Sequence, residues 1–285
     1  MNLLNKISFF IRFRKTIHII RENKDLDFVF SNLDKETIFG IDTEFDWRNT
    51  YFPRLSLIQI STKKKIFIID FISCENINKL KNYFENSSKL FIFHSSRSDA
   101  TVLYTNLKIK VKNAFDIQIA EKIISKGKIF NYSSLVGKYF PIKLKKTETN
   151  SNWLKRPLSQ DQLKYAADDV DFLIDIYIKQ KKKLLSLNQL ELASRLTTEE
   201  IKKGNQDLHI SRLKKYKKAS LLEREIFLWR EEFASSINIP PSHLFGDKFI
   251  SKLSKINSKD PSARKKINSI LGDTNLVDNF ISKFL

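Results

Sequence analysis

Hydrophobic and polar positions in this chain change period once, near residue 75. Before that point TIFGIDTEF (37–45), RLSLIQIS (54–61) and KIFIID (65–70) are short β-rich runs following one another closely. Their connections are too short for crossover helices, so they predict an antiparallel meander. After it come a helical stretch near 75–86, a strand KLFIFH (89–94), a helix near 97–106 and a strand around VKNAFD (111–116). Helices follow from about 117 to the end. Ser159 and Gln162 have capping-box spacing and head one helix, SQDQLKYAADDVDFLIDIY (159–177). Leu222, Ile226, Trp229 and Phe233 recur at i, i+4, i+7 and i+11, one face of an amphipathic helix. Pro240 and Pro241 break it, since neither supplies a backbone donor. Two or three short helices are expected beyond that turn, and no internal repeat is visible.

The order of elements predicts an α/β fold: three antiparallel strands, then helix-linked strands, as in a ribonuclease-H-like mixed sheet, plus a small all-α C-terminal domain. The expected division is a basic N-terminal extension over 1–17, a main domain over 18–203, a basic linker over 204–218 and a helical domain over 219–285. The linker is read from KKGNQDLHISRLKKYKK, one acid among many bases. The first 21 residues contain no acid. They read as an extension running into a short strand, His18 to Ile20, with an organelle-targeting or membrane-surface helix as the alternative.

Composition narrows the partners. At 285 residues with 41% hydrophobic content, the chain can bury a full core and a second domain. Its 51 Lys and Arg against 32 Asp and Glu leave +19, a bias toward polyanions such as nucleic acid. Abundant Lys, Ile and Asn, as an AT-rich genome produces, raises the same number without any partner. The lone Cys74 excludes an internal disulfide and a Cys-rich zinc site, which suits a reducing bacterial cytoplasm. No apolar run reaches the length of a membrane span.

Five side chains carry the candidate chemistry. Asp42 and Glu44 are two apart on a strand, so both leave one face, about 7 Å from Cα to Cα. Two such acids repel unless a shared cation relieves them. Asp99 follows the strand 89–94 by a short turn; it either joins that set or simply occupies the first turn of a helix capped by Ser95 or Ser96. Tyr165 and Asp169 stack at i, i+4 on one helical face. Asp168 and Asp171 point elsewhere, toward solvent or neighbouring bases, and His94 is expected to hydrogen-bond locally. Four carboxylates suit two divalent metal ions, Mg2+ or Mn2+, about 4 Å apart across a phosphodiester. Tyr165 would orient the attacking water or contact the phosphate.

These segments resemble the tyrosine subgroup of the DEDD 3′-5′ exonuclease superfamily, with bacterial ribonuclease D the nearest likeness. The match runs through DTEFDWRNTYFPRLSLIQIS (42–61), HSSRSDATVL (94–103), FDIQIA (115–120) and NWLKRPLSQDQLKYAADDVDFL (152–173). The resemblance implies that Asp42, Glu44, Asp99 and Asp169 are metal carboxylates and Tyr165 the motif phenol. It further implies release of nucleoside 5′-monophosphates from the free 3′ end of RNA, with tRNA precursors and small structured RNAs as substrates, by a monomer. Residues 222–253 look like one helicase-and-RNase-D C-terminal (HRDC) module, and a second is expected to be absent. Asn152 stands where the family usually has Asp, and Ser98 where an acid is common. Arg48, Arg54, Lys145, Lys146 and Arg156 flank the motifs as candidate RNA-backbone contacts, and Phe45 is either a wedge against the terminal base or a core residue. A DNA 3′-5′ exonuclease and a catalytically inactive RNA-binding protein are the alternatives.

Overall fold

The computed structural model describes residues 15–144 and 147–285. Six strands form one sheet: β1 (Thr16–Ile20), β2 (Ile38–Asp46), β3 (Arg54–Ser61), β4 (Lys65–Asp70), β5 (Leu90–Phe93) and β6 (Ala114–Asp116), in the order β1-β4-β3-β2-β5-β6. The expected meander is present, with β3 antiparallel to both β2 and β4. β5 and β6 extend it in parallel beyond β2. The N-terminal segment adds what the sequence order did not: β1 starts at Thr16, inside the expected extension, and lies parallel along β4 as an edge strand. The extension up to residue 14 lies outside the described residues.

Helices cover both faces, which is why the strands read as nearly continuous apolar runs. Along β4 the pleat sends Phe67 and Ile69 into one core and Ile66 and Ile68 into the other. The first core is closed by α1 (Leu26–Leu33), α2 (Leu80–Phe84) and α3 (Arg97–Leu107). The second is closed by α4 (Ile117–Ile124), α5 (Tyr132–Tyr139), α6 (Gln160–Asp171) and α7 (Leu173–Ser186). A last helix, α8 (Leu190–Gly204), packs on α3 and β6.

Two irregularities shape the sheet's working end. The β2/β3 register slips between Glu44 and Phe45, where Leu57 and Leu55 are successive partners and Ser56 is the extra residue. Leu55 and Leu57 consequently enter opposite cores despite being two apart. Second, the helix expected over 159–177 is two helices. Between α6 and α7 the hydroxyl of Tyr132 donates to the Asp168 carbonyl and accepts from the Phe172 amide, each at 3.2 Å. It sits where the i to i+4 bond would have closed, a side chain inserted into the helical ladder.

The chain divides into two compact units, residues up to Asp46 with Arg54–Gln206, and Trp47–Pro53 with Asp207–Leu285. The segment read as a basic linker is structured: α9 (Leu208–Leu213) and a 3-10 turn at Lys214–Tyr216 belong to the second unit, and Leu208 is buried. There α10 (Leu221–Ser236) carries the predicted apolar face, with Ile226 and Trp229 buried. Pro241 opens α11 (Pro241–Leu244), because its missing N–H costs nothing in a first turn. Beyond the proline turn come α12 (Ile250–Leu253), α13 (Ala263–Leu271) and α14 (Thr274–Phe284), three short helices as expected. No helix among the described residues is long and apolar enough to cross a membrane.

Candidate metal centre

β2 delivers Asp42 and Glu44 to the face covered by α6. That helix starts at Ser159, whose side chain accepts from the Gln162 amide in a reciprocal capping box. Its i, i+4 spacing presents Tyr165 and Asp169 on one side. One carboxylate oxygen each from Asp42, Glu44 and Asp169 lies within 4.8 Å of the others, all three residues half-buried. Around them is an open cleft of about 290 Å3, also lined by His94, Asn131, Tyr132, Thr149 and Tyr165. Such a spacing is what three hard oxygen donors need to share one cation.

Asp99 reaches the same end of the sheet by another route. After β5 the chain turns through Ser95, at φ 66°, into α3. Neither serine side chain caps that helix. Instead the buried carboxylate of Asp116, itself the cap of α4, accepts from the amides of Ser95 (3.2 Å) and Ser96 (2.7 Å). This places Asp99 in the first turn of α3, 4% exposed, with Thr43 Oγ1 donating to its Oδ1 at 2.7 Å. Asp99 stands outside the tight trio, yet its charge acts on Asp42 and Glu44.

The electrostatics of the cluster are those of carboxylates short of counter-charge. Burial, then Asp99, Asp169 and Glu44, push Asp42 well above the ordinary carboxylate range. Burial, then Asp169 and Asp99, do the same to Glu44. Asp99 is raised to about 7, chiefly by burial, against the opposing hydrogen bond from Thr43. Burial and the charge of Asp169 raise the Tyr165 phenol, so it keeps its proton at neutral pH. Its hydroxyl lies 3.3 Å from Thr149 Oγ1. All-oxygen donors with raised proton affinity fit a hard divalent cation, whose charge would return them to their ionised forms.

The remaining sequence candidates divide. Arg156, a candidate RNA-backbone contact, is engaged within the protein: its Nε and Nη2 hold Asp70 at 2.6 and 2.7 Å, Nη1 donates to the Trp153 and Lys155 carbonyls, and Nη2 also meets Ser56. Every guanidinium nitrogen is thereby committed to fixing the β3 bulge and the approach to α6. Phe45 packs against the first core. Arg54 pairs with Asp46 at 2.9 Å, and Arg48 is exposed on the segment grouped with the second unit. Lys145 and Lys146 lie outside the described residues. Asp168 pairs with Lys164 at 2.5 Å and Asp171 with Lys15, while His94 Nε2 lies 3.1 Å from the Phe130 carbonyl. Sequence reasoning passed over Tyr132, Thr43 and Asp116. Of these only Asp116 left a signal, an Asp two residues ahead of the Gln118 amide that it caps.

Comparison with known proteins follows the same residues. The 3′-5′ exonuclease family profile matches residues 17–185. Ribonuclease D of Desulfotalea psychrophila is 29% identical over 87% of this chain and 69% of its own length. That of Xanthomonas oryzae is 31% identical over 79% of this chain and 64% of its own, so this chain spans about two thirds of such relatives. The crystal structure of Escherichia coli RNase D, described as an exoribonuclease involved in structured RNA processing, superposes with a TM-score of 0.79 at 18% identity, covering 94% of this chain and 75% of that one. Brucella melitensis NrnC with bound Mg2+ superposes with a TM-score of 0.56 at 23% identity, covering 66% and 92%.

Proposed function

The chain belongs to the 3′-5′ exonuclease family, and from that premise we propose that it is a metal-dependent 3′-5′ exoribonuclease of the ribonuclease D kind. It removes nucleoside 5′-monophosphates from RNA with a free 3′ hydroxyl, and its substrates are the 3′ extensions of tRNA precursors and other small structured RNAs. The observation that carries this reading is the convergence of Asp42, Glu44 and Asp169 within 4.8 Å on the cleft that Tyr165 lines.

In this reading Asp42, Glu44 and Asp169, with Asp99 beside them, would hold two divalent cations, Mg2+ or Mn2+. When bound, such ions supply Lewis acidity toward the phosphate and a more acidic water. The protein's own part is positional. Tyr165, protonated because its phenol is raised, donates a hydrogen bond rather than removing a proton, and so orients the water or a phosphate oxygen. Thr43 holds Asp99 in one rotamer. The half-open cleft admits a chain end, and the helical second unit serves as an HRDC-like RNA-binding module. A bacterial cytoplasm is the setting its ribonuclease D relatives suggest.

The test is to incubate purified protein with a 3′-extended tRNA and with matched RNA and DNA strands, in Mn2+ and in chelator. Mononucleotides released from the RNA 3′ end only with metal are expected. Faster release from DNA would overturn the choice of RNA, and chelator-resistant release would overturn the metal.

A further inference from the structure

Directly across the β2/β3 ladder from Asp42 stands Gln59. Cross-strand partners share a face, with Cβ atoms about 5 Å apart, so this amide and carboxylate are neighbours. On its other side Gln59 pairs with the core residue Ile68 of β4. Glu44, by contrast, has the apolar Leu57 opposite it. Gln59 is fully buried, and neither its Nε2 nor its Oε1 has a hydrogen-bond partner among the described residues. The neighbouring buried serines of β3 are satisfied: Ser61 Oγ donates to the Val170 carbonyl at 2.7 Å and Ser56 Oγ to that of Trp153 at 2.5 Å. An unpaired interior amide opposes folding, and Leu57 and Ile68 show that apolar side chains fit this face. Packing does not account for the amide.

We propose that Gln59 is a positioning residue of the carboxylate cluster, donating from Nε2 to Asp42 when that carboxylate holds a cation and so fixing its orientation. The inference rests on reading Asp42 as a cation ligand. The terminal torsion of glutamine is broad, so the amide turns toward Asp42 without moving the strand. Complete burial keeps Gln59 from substrate, and it acts only through its neighbour. Hydrogen-bond partners of this kind orient metal-binding carboxylates, and losing one weakens metal binding by about 10- to 100-fold.

The experiment needs no substrate. Mn2+ is titrated into the full chain as wild type, Gln59→Met, Gln59→Leu and Asp169→Asn, following melting temperature and binding heat. In EDTA the two Gln59 variants are expected to melt at or above wild type, because the unpaired amide is gone. They should nevertheless need about tenfold more Mn2+ for half the thermal shift. Half-saturation within twofold of wild type in either folded variant overturns the proposal. A lowered EDTA melting temperature in both also overturns it, by showing that the amide serves packing. If Asp169→Asn alone weakens Mn2+ binding, only the role of Gln59 falls; if Asp169→Asn binds as wild type does, the cation site itself is misread.

Discussion

Tyr165 and Asp169 are one helical turn apart, but in the proposed function they do different work. The phenol keeps its proton, so Tyr165→Phe removes a donor and leaves the carboxylates in place. We expect the hydrolysis rate to fall about 100-fold with the Mn2+ midpoint unchanged; a shifted midpoint would make Tyr165 part of the cation site. The acids predict a pH effect of definite sign. Asp99 is raised to about 7, and Asp42 and Glu44 move the same way. Folded metal-free protein therefore holds protons that the unfolded chain releases near about pH 4. The contribution of Asp99 is complete below that value and is lost as pH rises through about 7, and those of Asp42 and Glu44 are lost in the same direction. In EDTA the melting temperature of wild type should fall across this window relative to Asp42→Asn/Asp99→Asn, and Mn2+ should reverse the fall. A constant difference between the two proteins would contradict it. These residues were legible because strand and helix spacings are strict: i, i+2 for Asp42 and Glu44, i, i+4 for Tyr165 and Asp169. The tie of Arg156 to Asp70 was not legible, because a lone arginine near a motif carries no sign of its partner, and Asp70 is 86 residues away.

At the scale of elements, the site depends on two departures from regular structure. The bulge at Ser56 lets Glu44 and Phe45 meet Leu57 and Leu55 in succession, and Arg156 locks it to Asp70. The break after Asp171 exists because Tyr132 occupies the gap between the Asp168 carbonyl and the Phe172 amide. Tyr132→Phe vacates that gap and lets the ladder close, which straightens the last turn of α6 and displaces Asp169. Stability should change by only about 1 kcal/mol, since one backbone hydrogen bond replaces two to the hydroxyl. RNA hydrolysis should drop more than about tenfold for a displacement near an ångström; wild-type activity would show that the break does not position the acid. The meander, β5, α3 and the head of α6 followed from hydrophobic period and capping chemistry. The break did not, because its cause is a tyrosine from a different helix; of β1 the strand over His18 to Ile20 was legible, but its start at Thr16 and its parallel pairing on β4 were not, because so short a run cannot announce an edge partner.

At the scale of the whole molecule, the formal charge of +19 predicts that RNA affinity is strongly salt-dependent. Binding should weaken at least about tenfold between 50 and 200 mM KCl. Replacing Lys214, Lys215, Lys217 and Lys218 with Gln should flatten that dependence if the second unit grips RNA, and an unchanged slope would place the grip elsewhere. The second unit has its own core around Trp229, Phe227 and Phe280, and the helical spacing of Leu222, Ile226, Trp229 and Phe233 was its visible sign in the sequence. The start of that domain was hidden because Leu208 was the sole buried anchor within a stretch of lysines. In the proposed function, four acids from three separate elements serve one reaction. Single-turnover hydrolysis and filter binding of the same RNA, compared for Asp169→Asn and Asp168→Asn in Mn2+, test it most directly. Asp169→Asn should lose cleavage by more than about 1000-fold while binding RNA within a few-fold of wild type, and Asp168→Asn should cleave nearly as wild type does. Full cleavage by Asp169→Asn, or its loss in Asp168→Asn alone, would contradict the account.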